Sequence, residues 1–274
     1  MRRNGKFKLL LLDIDGTLLG EEGTISAEDK ETLTRVRDAG IQVSLSTGRV
    51  ILACRKIIHD LSLDGYHIFC DGALVSNPAK GDEIYAKPVR PELVKQAVAF
   101  AHAQGINLDL YSTSGYFVEK ETWSSDLRRK FFDMECTVAD FDRVWQKERI
   151  IKGTLVISSA EERAKAASFC LQFQNDFDFT ATKTPAYPEI DFINVLAKGV
   201  GKGEALQTLA PYLGVTLTEI VAIGDGSNDI SLLSRVGLAV AMNNAPDELK
   251  AVADYVTGDV GHSGVSQAIK KLLL

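Results

Sequence analysis

A chain of 274 residues, 45% hydrophobic and 25% charged, carries enough apolar material for a sizeable core and exceeds the commonest single-domain size. A formal charge of −6 and a pI near 5.4 argue against a general nucleic-acid or anionic-membrane binder, though a local pocket could still take a small anion. Asp13 and Asp15 break the basic, leucine-rich start before a secretory signal could form, and no apolar run approaches the ~20 residues of a membrane span, so a cytoplasmic protein is expected.

In chain order, "FKLLLL" predicts a buried strand that ends in "DIDGT", and "ISAEDKETLTRVRDAG" a helix with Ser26 as N-cap and Gly40 as stop. "IQVSLSTGR" predicts a second strand, "VILACRKIIHDLSL" an amphipathic helix, and "GYHIFCDGALVSN" a third strand with a turn inside it. The texture then changes. "EIYAKPV", "INLDLYSTSGYFVEKE", "KGTLVISS" and "FDFTAT" predict strands, some joined as hairpins, with helices around 91–104 and 160–174 and a linker at "KTPAYPE". From Ile190 the alternation of strand and helix resumes through "GKGEALQTLAPYLG", "EIVAIGDGSND", "ISLLSRVG", "LAVAM" and "GVSQAIKKLLL". The fold expected is therefore α/β: residues 1–82 and 190–274 build a doubly wound, mostly parallel Rossmann-like sheet, and residues 83–189 form an inserted α+β domain.

Two strands far apart in sequence end alike, in "LLLLDIDGT" and "IVAIGDGSND". In a parallel sheet the C-terminal strand ends share one edge, where ligands bind. That places Asp13, Asp15, Asp225 and Asp229 together. Each motif alone also suits turn and cap acids. Taken together, acids crowded this closely call for a hard divalent cation, and oxygen-only ligands point to Mg²⁺. Ser46, Thr47, Gly48 and Arg49 end the second strand where a helix opens, an arrangement that suits an anion, and Lys202 could reach the same edge. The four cysteines are scattered without a Cys-x-x-Cys pair and predict reduced thiols, and the four histidines lack metal-ligand spacing.

The ordered set "DIDGTL", "STGR", "KGVGKGEAL" and "GDGSNDISLL" resembles the four motifs of the haloacid dehalogenase superfamily. With the large insert, and "GLAVAMNNAPDELKAVADYVT" near the end, the chain is similar to the Cof-type phosphatases with a class IIB cap. The resemblance implies Asp13 as nucleophile and Asp15 as general acid/base. Thr47 and Lys202 would hold the phosphoryl oxygens, with Asn228 near the phosphate. Mg²⁺ would be held by Asp13, Asp225 and the main-chain carbonyl of Asp15, with Asp229 supporting its water shell. One departure stands out: relatives commonly have Asn where "CDGALV" has Asp71, which adds negative charge beside the pocket.

These motifs imply a Mg²⁺-dependent phosphatase acting on small phosphorylated metabolites, sugar phosphates foremost, through an aspartyl phosphate. A phosphomutase shares the first step, and a phospho-accepting signalling domain shares the acids, the Lys and the sheet. A dehalogenase is disfavoured because Asp15 would have no role. Tyr111, Tyr116, Phe117 and Trp123 either give a substrate-selecting lid its sugar-facing surface or fill the insert's own core. No nucleic-acid or membrane partner is expected, and a monomer or homodimer is.

Overall fold

A computed structural model describes residues 6–184 and 187–274. The core sheet has five parallel strands in the order Tyr255–Val256, Leu238–Ala241, Ile220–Gly224, Leu9–Leu12, Gln42–Leu45. The first strand in sequence thus lies between the two others whose ends carry chemistry. Leu10 and Leu12 pack with Leu33 and Val36 of helix Ala27–Asp38 and with Val265 and Ile269 of helix Gly264–Leu272. Leu9 and Leu11 point the opposite way, onto Leu206 and Leu209 of helix Lys202–Tyr212. Burial on both faces is why this strand is an unbroken apolar run rather than an alternation. Ser26 caps helix Ala27–Asp38 as expected, its Oγ accepting from the Asp29 N–H at 3.0 Å.

A three-stranded antiparallel sheet, His67–Phe69, Leu74–Asn77 and Asp82–Ala86, joins the core edge through a bridge between Ser46 and Ile68. Its first turn runs through three consecutive positive φ values, at Cys70, Asp71 and Gly72. A Cβ on Gly72 would sit 2.1 Å from the Gly201 carbonyl oxygen, so only glycine lets this turn rest on the start of the Lys202 helix. The "EIYAKPV" stretch, grouped with the insert on its texture, instead pairs here with Leu74–Asn77. Strand pairing, which local composition does not encode, decides its place.

The inserted cap is a mixed six-stranded sheet in the order Phe177–Thr184, Tyr187–Ala197, Lys152–Ile157, Leu108–Tyr111, Tyr116–Val118, Thr137–Val138. Leu108, Leu110, Leu155, Ile157 and Val195 form a separate core with helices Pro91–Gln104 and Ala160–Gln172. The intervening residues Asp109, Tyr111, Lys152, Thr154 and Asn194 emerge on the other face by the period-two rule. The linker expected over 183–189 includes residues 185 and 186, which lie outside the described residues. The chain on either side is strand, with Thr184 paired to Tyr187. Among the described residues, no helix is long and apolar enough to cross a membrane. Cys54, Cys70, Cys136 and Cys170 are all free thiols.

Candidate active site

The parallel sheet delivers Asp13 from the end of strand Leu9–Leu12 and Asp225 from the end of Ile220–Gly224, side by side. Asn228 and Asp229 follow in a tight 3₁₀ turn, Ser227–Asp229. Thr47 and Gly48 follow strand Gln42–Leu45, and Lys202 opens its helix on the same edge. Carboxylate oxygens of Asp13, Asp225 and Asp229 lie within 4.8 Å of one another. Lys202, fully buried, donates to Asp13 Oδ1 at 2.7 Å and Asp229 Oδ1 at 2.6 Å. The other Asp229 oxygen accepts from the Asp225 and Gly226 N–H groups at 3.1 and 3.0 Å. Asp225 accepts from Thr17 Oγ1 at 2.8 Å and from Asn244 Nδ2 at 3.3 Å.

Gly16 makes this crowding possible. Its φ is +85°, and a Cβ there would fall 2.0 Å from Asp225 Oδ2. The chain thereby turns sharply directly after the second acid of "DID". Asp15 points away from the triad and takes the Arg49 guanidinium in a two-bond fork, Nε to Oδ2 at 2.7 Å and Nη2 to Oδ1 at 2.6 Å. Arg49 also stacks on the Phe132 ring of the cap, 4.6 Å from its centroid.

Two buried carboxylates, Asp13 and Asp229, and the half-buried Asp225 face one buried ammonium, so the triad is short of positive charge. Burial, aided by Asp229, pushes the Asp225 carboxyl up to about 7. Burial likewise pushes Asp13 well above the carboxylate range, opposed by Lys202. Burial alone would lower Lys202, but Asp13 and Asp229 outweigh it and raise it well above its ordinary value. An all-oxygen triad with excess negative charge and a cavity in front of it is a chemical fit for a hard divalent cation.

That cavity, about 390 Å³, is lined from the core by Asp13, Asp15, Thr47, Gly48, Arg49, Asp225 and Asn228, and from the cap by Tyr111, Arg128, Phe132, Lys152, Thr154, Phe192 and Asn194. Lys202 and Asp229 are fully buried and do not line it. Asp71 is buried too. Its Oδ2 accepts from Thr180 Oγ1 at 2.7 Å and Asn194 Nδ2 at 3.0 Å, both from the cap, and its Oδ1 from Asn228 Nδ2 at 2.7 Å. Burial tends to raise its pKa, but Lys202, Lys152 and these bonds hold the carboxyl below its ordinary range. Lys152 of the cap donates to the Gly48 carbonyl at 2.8 Å.

A sequence model of haloacid dehalogenase-like hydrolases matches residues 10–269, nearly the whole chain. The chain belongs to this family. It is a haloacid dehalogenase-like phosphatase of the Cof type, subclass IIB, and hence a phosphoric monoester hydrolase. It is 26% identical over 273 residues, 100% of this chain and 98% of the relative, to 5-amino-6-(5-phospho-D-ribitylamino)uracil phosphatase of Bacillus subtilis. A haloacid dehalogenase-like hydrolase from Bacteroides thetaiotaomicron superposes with a TM-score of 0.85 at 25% identity, covering 97% of this chain and 99% of that one. A subclass IIB sugar phosphatase superposes with a TM-score of 0.78 at 28% identity, over 96% and 98% of the two chains.

In this phosphatase every motif residue singled out from sequence reaches the same sheet edge, though Asp15 parts from the acid triad to meet Arg49. Asn244, Lys152, Arg128, Thr180 and Asn194 were not anticipated. For Asn194 a signal was present: it interrupts the apolar run "FINVLA" at the end of its strand. Of the four insert aromatics, Tyr116 and Phe117 are core, Tyr111 walls the cavity while buried, and Trp123 is 39% exposed.

Proposed function

We propose that this phosphatase hydrolyses small phosphorylated metabolites, sugar phosphates among them, with Asp13 as nucleophile. The observation that carries the reading is Asp13 itself: it lines the floor of the cavity with one oxygen held by Lys202. Its carboxylate would attack phosphorus as the ester oxygen departs, giving an aspartyl phosphate that water then cleaves. Asp15, oriented by the Arg49 fork, would give the leaving oxygen its proton and then take one from the attacking water. Thr47, Gly48 and Asn228 would position the phosphoryl oxygens, and Lys202 would offset charge from behind Asp13. Asp13, Asp225 and the Asp15 carbonyl would hold Mg²⁺, with Asp229 outside them. Both Asp229 oxygens are already engaged by the protein, which suits that outer place. When bound, the ion would neutralise charge on the phosphoryl group and on Asp13.

The cap end of the cavity mixes Thr154 and Asn194 with Phe132 and Phe192, polar and apolar surface suited to a sugar face. The 28% identity to a sugar phosphatase supports that class. The test is a panel of phosphorylated sugars, nucleotides and cofactors, assayed for release of inorganic phosphate with Mg²⁺ and after exhaustive chelation. Release should require the metal and recover on adding Mg²⁺, with Ca²⁺ a poor replacement. Asp13→Asn should lower turnover by on the order of 10³ or more while keeping the fold. Turnover within a few-fold of the parent would overturn the covalent route, and full activity without metal would overturn the cation site.

A further inference from the structure

We infer that Arg128 reads a second oxyanion, a carboxylate or a phosphate, on the leaving group of the substrate. The inference rests on the phosphatase reading above and extends it to the far end of the cavity. Arg128 sits on cap helix Trp123–Phe132 and is 6% exposed. Its Nε donates to Asp109 Oδ2 at 3.0 Å, the same oxygen that accepts from the Tyr116 hydroxyl at 3.2 Å. Its guanidinium carbon lies 5.4, 5.5 and 5.3 Å from the ring centroids of Tyr111, Tyr116 and Phe192. Rings and carboxylate together fix the guanidinium plane.

Nη2, on the same side as Nε, is buried and has no hydrogen-bond partner among the described residues, yet Arg128 lines the same cavity as Asp13. A guanidinium offers five donors in a rigid fork, and an arginine kept only to brace the cap would pair both sides of that fork. Here the Nε side is tied back to Asp109, and the outer nitrogen Nη1, which makes no hydrogen bond to the described residues, is left for whatever enters. The lining around it has a clear polarity. Among the described residues, every carboxylate on the wall, Asp13, Asp15 and Asp225, belongs to the core end, while the cap end contributes Arg128 and Lys152 and no acid. A metabolite with its reacting phosphate at the core and a second anion at the cap matches both ends. A neutral polyol leaves the charge at the cap end unanswered.

The experiment compares kcat/KM within two pairs that differ in the remote group: 4-carboxyphenyl phosphate against 4-carbamoylphenyl phosphate, and fructose 1,6-bisphosphate against fructose 1-phosphate. The parent should favour the charged member of at least one pair, and the pair with the larger preference identifies carboxylate or phosphate as the group read. Arg128→Met should lower that preference roughly tenfold or more, the scale of a charge-assisted hydrogen bond, and Arg128→Lys should restore part of it. Asp109→Asn with Arg128→Met, which leaves no unpaired buried carboxylate, should show the same loss. A parent that hydrolyses the neutral members but shows no preference overturns the inference, whatever the variants do. So does a preference that survives Arg128→Met. A parent that releases no phosphate from any of the four overturns the hydrolysis reading, and this inference with it.

Discussion

Asp13 and Asp15 are two residues apart, and each has its own cation. Lys202 holds Asp13 and Arg49 holds Asp15. The turn at Gly16 lets neighbouring acids face different partners and take different parts in one reaction. Asp15→Asn keeps the size and one acceptor for Arg49 but removes the proton exchange. Its kcat/KM should fall by about 10²–10⁴ on a sugar phosphate, whose alkoxide leaves poorly, and much less on 4-nitrophenyl phosphate, which needs little help to leave. Equal losses on the two substrates would show that Asp15 does not protonate the leaving oxygen. Most of this site was legible in the sequence, because a parallel sheet brings the ends of its strands to one edge wherever they lie in the chain. Arg49 was quoted within "STGR" yet its partner was not readable. Which acid a guanidinium reaches depends on side-chain directions that spacing does not contain.

Among the elements, the helices and the strands with strong periodicity were legible, down to the Ser26 cap. The hairpin partner of Asp82–Ala86 and the pairing around residues 183–189 were not, since pairing is settled by contacts between segments rather than within them. Strand His67–Phe69 adds a consequence of its burial. His67 is fully buried, and its Nδ1 lies 3.2 Å from the Leu45 N–H as acceptor. Burial lowers its pKa from 6.5 to about 4, with Asp64 opposing. The folded chain therefore refuses a proton that the unfolded chain accepts between those values. This contribution to stability is complete above pH 6.5 and is lost as pH falls towards 4, up to about 3 kcal/mol. Urea denaturation with chelator present, at pH 7.5 and 4.5, should show a smaller acid loss in His67→Gln than in the parent. Identical losses would mean that another group governs acid stability.

At the scale of the whole molecule, core and cap meet through few polar contacts among the described residues, and Asp71 makes two of them. The residue joins Thr180 and Asn194 of the cap to Asn228 of the catalytic edge, all three acting as donors to one carboxylate. An amide at this position can accept on one side only, and its NH₂ would then confront another donor. Asp71→Asn should therefore cost about 1–3 kcal/mol of stability, as expected when a buried donor is left without its acceptor. It should also weaken the hold of the cap in the closed arrangement. A site that is competent only when closed loses apparent affinity in proportion to the closed fraction, so KM should rise several-fold while kcat changes less. Thr180→Val removes one of the same bonds from the cap side without touching the core. If Asp71 acts through that contact, the two changes combined should raise KM by less than the product of their separate effects. Independent effects, or an unchanged KM in Asp71→Asn, would show that the carboxylate braces the core turn at Cys70–Gly72 and has no part in closing the cap.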